Sequence, residues 1–201
     1  MTITTADYDT IVVGGGPSGA TAAHDLARQG HKVLLLERGF RIKPCGGAIP
    51  PCLLEEFDIP EHLLKARIRS ARMVSPRGES VDMPIDGTFV GMVDRDEFDP
   101  WLRDRAGRAG AEVVAGVFKS LSYEGDLVSL SYQAKDENHR TETVTARSVI
   151  GADGARSGVA RATIPGAEQT PWVLAYHEII EVPEDQNWDA YDPDRCDVWY
   201  Q

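Results

Sequence analysis

Cysteine is scarce in this chain: Cys45, Cys52 and Cys196 are its only three. An odd count without paired CxxC spacing gives no zinc ribbon and no thioredoxin-like centre, so reduced thiols are the default. Basic residues are also short, 21 Lys and Arg against 32 Asp and Glu, for a net charge of -11. That balance argues against a nucleic-acid groove, which is held by Lys and Arg displacing counterions, and against a basic membrane patch. No apolar run approaches the ~20 residues of a spanning helix, and MTITTADYDT has neither a charged nor an apolar signal region. A cytoplasmic protein is the expectation. His24, His31 and His177 show no metal-ligand spacing, so no metal is expected.

What is present suits a packed core, with 42% apolar and 26% charged residues over 201 positions. Tyr8 to Val13 (YDTIVV) is a β-branched apolar run ending in GGGPSG, hence a strand and a glycine turn. From Ser18 a helix is expected, with Ala22, Ala23, Leu26 and Ala27 on one side and Gly30 as its stop. KVLLL, residues 32–36, is a second strand closing at Glu37. Both runs are nearly continuously apolar, as buried parallel strands are.

Beyond the loop RIKPCGGAIP, short helical pieces cut by prolines lead to a strand, turn and strand over 71–86 and a strand at 90–93. The segment 94–109 reads as an amphipathic helix presenting Phe98, Trp101, Leu102 and Ala106. Asp94 with Glu97 makes a capping box, and Asp99 followed by Pro100 is an equally good cap; the earlier start is preferred, with a local irregularity at Pro100. Strands follow at 112–117, 127–134 and 146–150, the last ending in GADGARS. Strand-like texture returns at 172–182 and from Cys196 to the end, where DVWYQ stops without turn or cap. A C-terminally truncated piece of a longer chain is the expectation.

GGGPSG matches GxGxxG directly after a strand and directly before a helix, the context that makes the pattern informative. Gly14 permits the tight turn, Gly16 lets a pyrophosphate approach the backbone, and Gly19 lets the helix pack on the strand. With Ser18 in the first turn, the helix N-terminus offers N–H groups to phosphates. Glu37 stands 23 positions after Gly14, near the ~20-residue spacing of a ribose-binding acid. Its charge would repel a 2'-phosphate, so the site suits FAD or NAD over NADP. The second turn, with Asp153 and Gly154, is suited to a ribityl or ribose hydroxyl and to close backbone approach.

The pair GGGPSG and GADGARS resembles the p-hydroxybenzoate hydroxylase-like flavoproteins. Within them, KPCGGAIPPCLLEEFDIP and VGMVDRDEFDPWLRDRAGRAGAEV are similar to the geranylgeranyl reductases of chlorophyll and bacteriochlorophyll synthesis. That resemblance implies an α/β fold: a Rossmann-type FAD-binding domain over 1–165, discontinuous, with inserted strands around 68–93, and the start of a β-rich substrate domain at 166–201. It implies FAD and NADPH as cofactors and a prenyl substrate, geranylgeranyl diphosphate or a geranylgeranylated pigment, reduced at its double bonds. It lays the loop Cys45, Gly46, Gly47 and Ala48 along the flavin, with Cys45 as a candidate catalytic thiol, and makes Arg95 an FAD contact. Family members run past this length, with a later Gly-Asp motif and an aromatic Tyr-x-Trp-x-Phe-Pro segment that do not occur here. Peripheral contact with a photosynthetic membrane, through that further half, is compatible with the resemblance. Two other readings fit the same residues: a flavin monooxygenase of an aromatic substrate, and a non-enzymatic FAD-binding redox sensor reporting through Cys45.

Overall fold

The computed structural model describes residues 5–39, 45–178, 180 and 192–200. In chain order, β1 (Tyr8–Val13), α1 (Pro17–Arg28) and β2 (Val33–Glu37) come first. Then come β3 (Ala48–Ile49), α2 (Pro51–Glu56), β4 (Leu64–Ile68), β5 (Ser70–Val74), β6 (Ser80–Pro84), β7 (Val90–Val93) and α3 (Arg95–Arg108). The chain continues through β8 (Glu112–Glu124), β9 (Leu127–Ala134), β10 (Thr141–Gly151), α4 (Gly158–Thr163) and β11 (Arg195–Trp199). It divides into two compact units, residues 1–41 with 99–174, and 42–98 with 175–201.

The first unit closes five strands into a ring ordered β1, β10, β9, β8, β2. Closure follows from two long strands that change partner midway. The first residues of β8 run parallel to β2, Leu34 opposite Glu112, and the rest runs antiparallel to β9 from Gly116 opposite Ala134. Similarly, β10 begins antiparallel to β9 and ends parallel to β1, Val13 opposite Gly151. Ile11, Val13, Leu34, Leu36, Leu130, Tyr132, Ala146 and Val159 form the core. All five β2 residues are buried, which is why its sequence is apolar without alternation. Helix α1 buries Gly19, Ala20, Ala23 and Ala27, and Gly30 follows it at φ +86°.

In the second unit β3, β7 and β4 make one sheet and β11, β5 and β6 another. Strand β7 is central to the first, antiparallel to both neighbours. Strand β5 is central to the second, antiparallel to β6 and parallel to β11.

Three expectations change. The helix at 94–109 runs unbroken from Arg95 to Arg108 with Pro100 inside it, and the Glu97 carboxylate, expected in a capping box, accepts from Lys65 Nζ at 2.7 and 2.8 Å. Strands β8 and β10 are longer than expected, because pairing with β9 extends them through polar residues such as Lys119, Ser120 and Ser122. The expected strand at 172–182 is absent from 172–178 and 180, its other positions lying outside the described residues. Its apolar side chains are in place for a strand, but no ladder takes up its backbone among the described residues, and Val173 and Leu174 stay about 90% exposed.

Candidate functional site

The first unit builds its candidate site where β1, β2 and β10 end side by side. Since β1 is parallel to both neighbours, the turns following β1 and β10 leave on the same side, at the strands' C-terminal ends. The Ala152 N–H donates to the Val13 carbonyl at 2.8 Å, carrying the ladder one residue into the second glycine turn. Gly14 has φ +105°, and a Cβ there would lie 2.3 Å from the Ala152 carbonyl oxygen. A Cβ on Gly19 would lie 1.8 Å from the Gly14 carbonyl oxygen and 3.0 Å from the Ala152 Cβ. The two glycine motifs, more than a hundred residues apart in sequence, are therefore packed backbone on backbone with no room for side chains.

Gly16 is the N-cap of α1, Pro17 opens the helix, and no side chain caps it. Ser18 lies exposed in that first turn. The first N–H groups of a twelve-residue helix are thus left without a side-chain cap beside a glycine turn, at the positive end of the helix dipole. This cradle fits a dinucleotide diphosphate.

Glu37, at the end of β2, is only 6% exposed. Its Oε2 accepts the Gly15 N–H at 2.6 Å and its Oε1 accepts the Gly39 N–H at 2.9 Å. A carboxylate offers about four acceptor positions, so two stay available for ribose hydroxyls after the backbone is served. Glu37 therefore also holds the glycine loop, a bond that spacing alone does not show.

Asp153 is half-buried at the start of the second turn. It accepts from Ser157 Oγ, from the Gly158 N–H at 2.6 Å and from the Val159 N–H at 3.3 Å. Ser157 Oγ in turn accepts the Ala160 N–H at 2.8 Å. Asp153 thus organises the start of α4, while Gly154, exposed at φ +86°, makes the turn.

Sequence reasoning missed Arg103. It is 8% exposed on α3, and its Nη1 donates to the Gly15 carbonyl at 3.0 Å. No signal in the sequence marks it, since its partner at Gly15 is known only from the fold.

The second unit gathers another set of expected residues. Cys45, Gly46, Val93, Arg95, His177 and Glu178 are among those lining a cavity of about 280 Å³. Cys45 and Ala48 are exposed, and Lys43 and Pro44 of the same motif lie outside the described residues. Gly47 has φ +73°, and a Cβ there would lie 1.9 Å from the Val93 carbonyl oxygen, so β7 itself demands this glycine. Gly46 differs: the nearest atom to a Cβ would be Met92 Cε at 4.0 Å. His177, given no role by its sequence context, joins Cys45 on the cavity wall. Among the described residues no group of three or more His, Cys, Asp or Glu could hold a metal. No described helix is long and apolar enough to cross a membrane.

Residues 8–187 match the family model described as pyridine nucleotide-disulphide oxidoreductase. A geranylgeranyl diphosphate reductase from Rhodobacter capsulatus is 54% identical over 96% of this chain and 48% of its own length. A chloroplastic geranylgeranyl diphosphate reductase from Oryza sativa is 39% identical over 87% of this chain and 40% of its own. Among solved structures, a geranylgeranyl bacteriochlorophyll reductase-like protein from Thermoplasma acidophilum superposes with a TM-score of 0.79 at 27% identity, covering 96% of this chain and 50% of that one. The chain spans about half the length of the curated relatives it matches.

Proposed function

The chain belongs to the pyridine nucleotide-disulphide oxidoreductase family, and on that footing we propose that it is the FAD-binding part of an NADPH-driven geranylgeranyl reductase. The observation that carries the cofactor reading is the backbone contact of Gly14 with Ala152 beside the uncapped start of α1. The similarity to geranylgeranyl diphosphate reductases supports the substrate class.

In this reading the α1 N-terminus and Gly16 bind the diphosphate, and Glu37 accepts from the adenosine ribose. Asp153 and Gly154 shape the turn that meets the flavin side. The Cys45–Ala48 loop and Arg95 are further FAD contacts on the resemblance already described, and Cys45 Sγ holds a proton for the acceptor double bond. The shared cavity of Cys45 and Arg95 supports that assignment. A flavin held by these residues would supply the two-electron chemistry that couples NADPH to the alkene. Each saturated bond takes two electrons and two protons, one proton arriving with NADPH and the other from solvent. Exposure of Cys45 permits that second proton to enter. We place the enzyme in the cytoplasm, peripheral to the photosynthetic membrane, acting on geranylgeranyl diphosphate or a geranylgeranylated pigment, with residues 1–165 as the FAD-binding domain and 166–201 opening the substrate domain.

Anaerobic mixing of the intact protein with NADPH tests the reading. Flavin absorbance should bleach, persist bleached, and return on addition of geranylgeranyl diphosphate. Recovery only on admitting oxygen, with hydroxylation of an aromatic compound, would instead assign a monooxygenase.

A further inference from the structure

We infer that Arg103 is a positioning residue that sets the direction of the Gly16 N–H, a backbone donor of the turn that would hold the diphosphate; the inference rests on the FAD reading above. The Arg103 guanidinium reaches the Gly15 carbonyl at 3.0 Å from a side chain that is 8% exposed. The Gly15 carbonyl and the Gly16 N–H belong to one peptide unit, which is planar and trans, so they point in opposite directions. Drawing the carbonyl toward Arg103 therefore turns the Gly16 N–H away from α3. A buried guanidinium bond to a carbonyl is a charge-assisted one and resists rotation of that plane.

The neighbouring peptide is held from the other side. The Gly15 N–H donates to Glu37 Oε2 at 2.6 Å. Both ends of Gly15 are thus fixed by ionisable side chains of opposite charge, Glu37 from β2 and Arg103 from α3. The same arrangement explains why Gly15 has no side chain, since a Cβ there would lie 2.9 Å from Arg103 Cδ and 3.0 Å from Glu37 Cβ. The middle glycine of GGG is required by the clamp, whereas Gly14 and Gly19 are required by the backbone contacts of the turn.

The experiment compares FAD dissociation constants of the intact protein with those of R103K and R103M, alongside the unfolding midpoint of each apoprotein. The Gly15 carbonyl can accept from an ammonium as well as from a guanidinium, so R103K, which keeps a charged donor on a long stem, should stay within about threefold of the parent. R103M, which keeps the stem and loses the donor, should bind about tenfold more weakly or worse. Wild-type affinity in R103M overturns the inference. So does an equal loss in both variants that follows their apoprotein midpoints, because that is the signature of packing alone. If R103M does not fold, R103K decides, retained affinity supporting the inference and a tenfold loss overturning it. A parent protein that binds no FAD overturns the cofactor reading and this inference with it, whereas a parent that binds FAD beside an unaffected R103M overturns this inference alone.

Discussion

Gly14 and Ala152 stand so close that a single added carbon on Gly14 would sit 2.3 Å from the Ala152 carbonyl oxygen. The contact joins the turn after β1 to the turn after β10, and it makes one surface of two motifs that are remote in sequence.

Gly14→Ala should therefore destabilise the protein more than its φ alone requires. Gly110 supplies the control, with φ +110° and nothing within 4 Å of an added Cβ. Gly110→Ala should cost about 1–2 kcal/mol for the unfavourable backbone. Gly14→Ala should cost roughly 2 kcal/mol beyond that, because backbone must shift to relieve the overlap. Chemical denaturation of both variants measures the difference, and equal losses would show that the two turns do not touch.

Gly46 and Gly47 separate a cofactor's demand from the protein's own. Gly47→Ala should lower stability by several kcal/mol, since it meets the Val93 carbonyl at 1.9 Å with φ +73°. Gly46→Val has open space around it in the protein, so its unfolding midpoint should be near that of the parent while its flavin affinity falls. Flavin titration at parental affinity would remove the Cys45–Ala48 loop from the cofactor.

The paired strands and helix at the start of the chain were legible because their signals are local. Tyr8 to Glu37 carries an apolar run, a glycine turn, a helix-forming stretch and a second apolar run in succession, and each became the expected element. The ends of β8 and the start of β10 were not legible, because their polar residues join a sheet only through β9. Arg103 was invisible for a similar reason: a charged residue on an amphipathic helix reads as solvated until its partner, Gly15, is known from the fold. The apolar texture of 172–178 was real but no strand formed, since a strand needs a ladder as well as a pattern.

Glu37→Gln should weaken FAD binding by about tenfold or more and lower stability by about 1–3 kcal/mol. Gln presents one carbonyl oxygen where the carboxylate served two N–H groups, at Gly15 and Gly39, so a buried donor loses its partner. Flavin content after purification together with denaturant titration checks both effects. Parental values for both would remove Glu37 from the ribose and from the loop.

Alkaline pH should act through Tyr8. Burial first, then its 2.8 Å hydrogen bond to Glu112 Oε2, raises the phenol well above its ordinary value. The folded chain thus holds this proton more tightly than the unfolded one, so the stabilisation is complete below the unfolded value of about 10 and declines as pH rises past it. Tyr8→Phe should show a lower unfolding midpoint at neutral pH and a shallower decline above pH ~10. A parallel decline in both proteins would mean that Tyr8 does not contribute.

The central claim is that this chain carries the FAD site of an enzyme that saturates prenyl double bonds with electrons from NADPH. Mass analysis of geranylgeranyl diphosphate after anaerobic incubation with the intact protein, FAD and NADPH tests it most directly. The account predicts products heavier by successive pairs of hydrogen atoms, formed in step with NADPH oxidation. A prenyl mass that stays unchanged while NADPH is consumed would contradict it.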